Sequence, residues 1–264
     1  MRPVSLALLV PAIAAAQTPP DLAAERADFA GWLATSPTSP VAAIYHQPIG
    51  DGLVLGPGGD PALADVQAAT LRETRNGLTL ETAGTGRAVP RNRDVELGSF
   101  RLRVSGERGR SVVTVYGPAR RHPAPGWYPY APDLVADGTL EPPAQHESRR
   151  MLGLDGIEVE ASPAGTFVAR VGGKPVRLTV YRLPEPGTEE SDLTIFFRDA
   201  TNGQGSYPAG RFLALRPLGG TRYRADFNRA RNPFCAYNGI FPCPLPWPGN
   251  AIDGPIAAGE RYTK

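Results

Sequence analysis

The chain has 264 residues, including 30 Gly and 29 Pro, is 41% hydrophobic and 20% charged, and carries a formal net charge of +2. That apolar content supports a packed core and excludes a wholly disordered chain, while the Gly and Pro content disfavours a helix bundle or coiled coil and suits short strands and turns. All basic residues but Lys174 and Lys264 are arginine, and their near balance with acids gives no electrostatic case for nucleic acid.

Residues 1–16 read as a secretory signal peptide. Arg2 is the positive region, Leu6 to Val10 opens the apolar stretch, and Ala14-Ala15-Ala16 is a small-residue cleavage site before Gln17. The apolar run of about 11 residues is too short for the ~20 of a bilayer-spanning helix, and no later segment reaches that length. The mature chain, 17–264, is expected to be a single β-rich domain without a transmembrane segment. It is expected to be exported to the periplasm or beyond and soluble after cleavage.

One helix follows. Pro19-Pro20 precede Asp21, the expected N-cap, and Leu22, Phe29, Trp32 and Leu33 fall on one helical face before Ser36-Pro37-Thr38-Ser39-Pro40 ends it. Gly50 to Pro61 reads as loop. From about Val66 the hydrophobic period becomes two. Leu71 to Arg75 and Leu78 to Thr82 flank Asn76-Gly77, a dipeptide suited to a type I′ hairpin turn.

Gly98-Ser-Phe-Arg-Leu-Arg-Val, a turn and Val112 to Tyr116 are matched by Gly165-Thr-Phe-Val-Ala-Arg-Val, a turn and Arg177 to Tyr181. This approximate repeat predicts two related hairpins, each with one apolar face, in an antiparallel β-barrel or sandwich. Between them the Pro-rich stretch Pro123 to Pro143 carries Trp127, Tyr128 and Tyr130. This aromatic cluster either covers a barrel end or offers a stacking surface.

The last third predicts strands at Asp192 to Asp199, Gly205 to Leu213 and Tyr223 to Asn228, then an irregular Pro-rich loop. Cys235 and Cys243 lie in that loop. An even cysteine count in an exported chain predicts a disulfide, contributing roughly 2–3 kcal/mol through chain entropy. His46, His122 and His146 are not at ligand spacing from the cysteines, so no metal site is expected. Arg211, Asp226, Asn228, Arg229, Asn232 and Asn250 form the candidate polar set. They either fasten the irregular loop by satisfying its backbone, or line a site for a small polar or carboxylate-bearing ligand.

The ordered run Phe196-Phe-Arg-Asp-Ala-Thr-Asn-Gly203, Ser206-Tyr207, Gly210-Arg-Phe-Leu213, Asp226-Phe-Asn-Arg-Ala230, Asn232-Pro233, Cys235, Tyr237, Cys243-Pro-Leu-Pro246, Asn250 and Ala258-Gly-Glu260 resembles an uncharacterised prokaryotic family, the domain of unknown function numbered 1684. The resemblance extends over about residues 28–260 and is densest over 196–260. It implies a domain extent and an N-terminal helix followed by Ser39-Pro40, and it transfers no reaction. The chain departs from the family pattern at Arg231 and Trp247.

Catalytic motifs are absent. Ser206 lacks the Gly-x-Ser-x-Gly spacing, there is no His-Glu-x-x-His or P-loop, and Gly84-Thr-Gly86 lacks the third glycine of a dinucleotide fingerprint. No residue is assigned a catalytic role, and no cofactor is implied. The expected function is an exported cell-envelope binding or structural module. The alternative is a glycoside or ester hydrolase using Asp199, Asp226 or Glu260 as acid and base. A third possibility is a partner-binding surface at Trp127, Tyr128 and Tyr130.

Overall fold

The computed structural model describes residues 16–118, 122–184 and 191–262, so the expected signal peptide lies outside the described residues except for Ala16. The helix forms as α1 (Pro20–Thr35) and stops at Ser36, whose extended backbone (ψ 128°) suits the residue before Pro37. Its N-cap is Pro19, not Asp21. Asp21 sits in the first turn, and its carboxylate accepts from the Arg229 side chain. Leu22 and Leu33 are buried, but Trp32 remains 36% exposed, so the covered stripe is narrower than the spacing suggests.

The next strands are β1 (Ala43–Pro48), β2 (Leu53–Leu55), β3 (Ala69–Thr74), β4 (Gly77–Thr82), β5 (Thr85–Val89), β6 (Asp94–Leu97), β7 (Phe100–Ser105) and β8 (Val112–Tyr116). They form two antiparallel sheets, ordered β1-β8-β7-β6 and β2-β3-β4-β5. Alternation points Leu102, Val104, Val113 and Val115 of one sheet and Leu55, Leu71 and Leu80 of the other into one sandwich core. The Asn76-Gly77 hairpin forms with a shifted turn. Thr74 pairs with Gly77, so Arg75 and Asn76 make the loop, and Gly77 alone takes the positive φ (118°).

The C-terminal strands are β9 (Val135–Glu141), β10 (Arg149–Leu152), β11 (Glu158–Val171), β12 (Lys174–Pro184), β13 (Ser191–Phe197), β14 (Arg211–Ala214), β15 (Arg216–Gly219) and β16 (Arg222–Asp226). The sheet runs β14-β13-β12-β11-β9-β16-β15, with β10 on the free flank of β11. Its two edge strands, β14 and β15, are joined through the single residue Leu215, so the sheet curls back toward itself as a half-barrel. Phe167, Leu178, Val180, Ile195, Phe197, Leu213 and Phe227 fill the inside. The alternating residues Tyr181, Leu183, Phe196 and Phe212 face outward and pack under Trp247. Both hairpins of the repeat form, β7–β8 in the sandwich and β11–β12 at the centre of the curled sheet.

β9 falls within the Pro-rich stretch read as a cover, and Gly138 conceals it. A Cβ at Gly138 would lie 2.4 Å from the Val168 carbonyl oxygen, so only glycine lets β9 and β11 approach there.

The two β units meet at the disulfide loop. Cys235 and Cys243 are bonded. Asn238 in the loop donates to the Pro40 and Ala43 carbonyls at 3.0 and 2.8 Å. Phe241 packs on the His46 ring at 4.7 Å. His46 is only 5% exposed, its Nδ1 is 2.9 Å from Thr114 Oγ1, and burial pushes its pKa down to about 4.

The imidazole is harder to protonate folded than unfolded. It therefore contributes stability above about pH 6.5 that is lost as pH falls toward 4, amounting to about 3 kcal/mol. Denaturation midpoints measured between pH 7.5 and 4.5 are expected to carry this decline, and His46→Gln to remove its share of the slope. An unchanged profile in His46→Gln would contradict the assignment.

Candidate functional site

The most deeply buried charge is Arg211, which opens β14 opposite Phe197 and is 0% exposed. It donates to Asp199 Oδ2 and the Ile256 carbonyl, each at 2.8 Å, and to the Ala258 carbonyl. Asp199 Oδ1 in turn accepts from Thr201 N and Oγ1 at 2.8 and 2.6 Å and from Ile256 N at 3.0 Å. One ion pair thus fixes both the turn after β13 and the C-terminal segment.

Asp226, Asn228 and Arg229 form a second set. Asp226 caps the short turn Phe227–Arg229, accepting from Asn228 N at 3.1 Å and Nδ2 at 2.9 Å, and from Arg229 Nε at 3.0 Å. Asn228 exchanges hydrogen bonds with both backbone groups of Ala131, at 2.9 and 3.0 Å. The terminal nitrogens of Arg229 reach Glu25 and Asp21, which docks α1 on this unit.

Asn250 makes a third contact. β12 pairs with β13 only from Tyr181 to Pro184, leaving Thr179 without a strand partner on that side. The Asn250 amide takes that place, accepting from Thr179 N at 2.7 Å and donating to the carbonyls of Thr179 and Phe196 at 2.9 and 3.1 Å. Its carbonyl oxygen and amide mimic a neighbouring strand.

Asn232 belongs to a fourth group with Glu260. Its backbone N–H donates to Glu260 Oε2 at 2.9 Å, and the Tyr237 hydroxyl donates to Oε1. Glu260 is 1% exposed, and burial pushes its pKa up to about 7 against the opposing pull of Tyr237, Asn232 and Arg231. Of the three acids considered for catalysis, Asp199 and Asp226 are paired with arginines. Glu260 is the one held near neutrality.

The six candidate residues therefore fall into four separate hydrogen-bonded sets, each reaching main chain or α1. They do not converge on one cavity. Arg229 borders a small pocket of about 80 Å³ and Asn250 a different one of about 430 Å³.

A larger groove lies elsewhere. It has a volume of about 710 Å³, between β10, the outer face of β11–β12 and the loop from Pro244 to Pro248. Thr166 and Thr179 are cross-strand partners, while the adjacent pair Phe167 and Leu178 point into the half-barrel. The two threonines and Tyr181 thus share the outer face that Trp247 only partly covers. Tyr181 is 8% exposed, and its hydroxyl makes no hydrogen bond among the described residues. Arg150, also on the groove, faces Glu160 across the β10–β11 ladder and makes no hydrogen bond or ion pair among them. Its neighbour Arg149 donates only to the neutral Gln145 Oε1, at 3.1 Å.

A family model described as "Protein of unknown function (DUF1684)" matches residues 124–261. The chain belongs to this family. No curated protein matches it. It is similar to the solution NMR structure of an uncharacterised protein from Haloarcula marismortui, at 32% identity over 53% of this chain and 76% of that one, with a TM-score of 0.45.

The DUF1684 match begins later than the expected boundary near residue 28. It contains the whole curled sheet, all six candidate polar residues and the groove, and leaves out α1 and the sandwich. The groove residues Arg150, Thr166, Thr179 and Tyr181 were not among the sequence candidates. Their signal is the outward alternation of Thr179 and Tyr181, and it becomes visible only once the curled sheet assigns an inside. Among the described residues, no group of three or more His, Cys, Asp or Glu is placed to hold a metal, and no helix is long and apolar enough to cross a membrane.

Arg211→Ala leaves a fully buried carboxylate uncompensated and is expected to cost about 3–5 kcal/mol, lowering Tm by roughly 6–20 °C. Loss of a degree or less on a thermal scan would contradict the anchoring role. Glu260 has the opposite pH sign to His46. Its folded pKa is raised, so its stabilising contribution is full below about pH 4.5 and is lost as pH rises to about 7, a change of about 3 kcal/mol. Glu260→Gln is therefore expected to raise stability at pH 8 relative to the parent chain and not at pH 4.5.

Proposed function

We propose that this protein is an exported, non-catalytic binding module of the cell envelope that holds a carboxylate-bearing ligand in the groove beneath the proline loop. The observation that carries the reading is the contrast in commitment between two sets of polar groups. Arg211, Asp226, Asn228, Arg229, Asn232 and Asn250 spend their hydrogen bonds on the protein's own chain. Arg150 and Tyr181 line a groove of about 710 Å³, and their side chains make no hydrogen bond or ion pair among the described residues.

Specific ligand sites of this size combine mostly apolar walls with a few converging polar groups. The groove matches that description, with Leu245, Trp247 and the flanking prolines on one side and two arginines on the other. Glu158 on the rim is ion-paired with Arg110 at 2.8 Å, and Glu160 faces Arg150 across the β10–β11 ladder without an ion pair, so Arg149, opposite Ala161, is the arginine with no acid across from it.

A specific observation supports hydrolysis as a second reading. Glu260 is an acid poised near neutral pH, hydrogen-bonded to a buried tyrosine. The first reading is favoured because this carboxyl is 1% exposed and lines none of the grooves described above.

Both readings are tested on the oxidised chain 17–264. Thermal shift against a panel of mono- and dicarboxylates is expected to give saturable stabilisation that Arg150→Ala reduces and Arg229→Ala does not. Equal response of the parent and Arg150→Ala chains would refute the groove as the site. Turnover of a glycoside or ester panel that disappears in Glu260→Gln would establish the hydrolase instead.

A further inference from the structure

Resting on the groove as the ligand site, we infer that its occupant is a short acidic peptide segment with aliphatic side chains. The inference comes from matching the groove's chemistry along its length.

The anionic end is set by charge. Arg150 makes no ion pair or hydrogen bond among the described residues, and Arg149 bonds only to a neutral amide. A carboxylate placed there gains planar, fork-shaped donors that no described carboxylate bonds, Glu160 facing Arg150 across the β10–β11 ladder without an ion pair and Arg149 standing opposite Ala161.

The body of the ligand is set by the outer face of β11–β12. Thr166, Thr179 and Tyr181 present three hydroxyls along the floor, none hydrogen-bonded among the described residues. Each hydroxyl both donates and accepts, so the row complements the alternating N–H and C=O groups of an extended main chain. A bare acyl chain laid over the row would desolvate all three without replacing their hydrogen bonds with water.

The walls exclude a sugar-stacking mode. Tyr181 and Trp247 are 8% and 6% exposed, because their rings pack edge-to-face on each other with centroids 5.0 Å apart and Trp247 packs further on Phe196 and Phe212. No open aromatic face remains for a pyranose ring. The accessible apolar surface is aliphatic. Leu245 is 81% exposed between Pro244 and Pro246, and Met151 lies on the opposite strand. Aliphatic side chains flanking a carboxylate fit such walls.

The test uses the oxidised chain 17–264. Fluorescence anisotropy follows an N-terminally labelled Ala-Leu-Glu-Leu-Glu peptide, its Ala-Leu-Lys-Leu-Lys counterpart and, as an unlabelled competitor, dodecanoate. The acidic peptide is expected to bind saturably and to weaken as NaCl rises from about 0.05 to 0.5 M. Arg150→Glu is expected to weaken it about tenfold or more and to gain affinity for the lysine peptide, an exchange of preference that misfolding cannot produce. Amide hydrogen exchange is read in parallel over residues 143–152 and 244–248. Protection of these segments by dodecanoate but not by the acidic peptide would overturn the peptide inference and leave the groove standing as the ligand site. Protection by neither would overturn both. Equal binding of the acidic peptide to the parent and Arg150→Glu chains would overturn the assignment of the anionic end.

Discussion

A guanidinium without access to water organises the C-terminal third of this protein. Arg211 projects from β14 into a place where its charge would be intolerable alone, and Asp199 and two backbone carbonyls compensate it there. Such a pair adds little net stability relative to a well-packed apolar substitute, because both ions must be dehydrated. What it adds is uniqueness. The segment from Ile256 to Ala258 has neither helix nor strand periodicity to place it, and the directional bonds of one arginine fix its position. The other polar groups depend on that placement. Once the segment is fixed, Glu260 lies under Asn232 and Tyr237.

The same arrangement explains why the outer face of the curled sheet is only half covered. A sheet with a filled interior still presents alternate side chains outward, and apolar ones there need a second cover. Trp247 supplies it for Tyr181, Phe196 and Phe212. The loop that delivers Trp247 is punctuated by prolines, which cannot donate to a strand edge. It therefore lies against the sheet through side chains instead of extending it. Where that cover ends, Thr166 and Thr179 are left on the floor of the groove.

Much of the architecture was legible in the residues, for identifiable reasons. A period of two is a direct consequence of strand geometry, so the hairpins β3–β4, β7–β8 and β11–β12 could be read from it. The cysteine pairing followed from an even count and the expectation of export. β9 was not legible, because Gly138, indispensable for close approach to β11, looks like a loop signal when taken alone. β10 was hidden in the same way by the consecutive charges Arg149 and Arg150. For the polar set the residue types were informative and their targets were not. Asn228 and Asn250 have the chemistry to bind a ligand or to stand in for a missing backbone partner. Which one occurs depends on contacts with Ala131 and Thr179, 97 and 71 residues away. The groove was the least legible feature, since its floor and its proline wall come from segments that only the fold brings together.

The docking of α1 orders events in time. Its ionic contacts with Arg229 span 204 and 208 residues, and within it only Leu22 and Leu33 are buried. In a chain made from its N-terminus, the helix precedes both β units, and its seat at Arg229 exists only after they have appeared. Contacts of such long range form late, after the loops between them have closed. The sandwich, whose strands are neighbours in sequence, can assemble in the interval. The helix then acts as the clasp that closes over a nearly finished molecule, seating Phe29 against Trp127 and Tyr237 and Trp32 against Phe234.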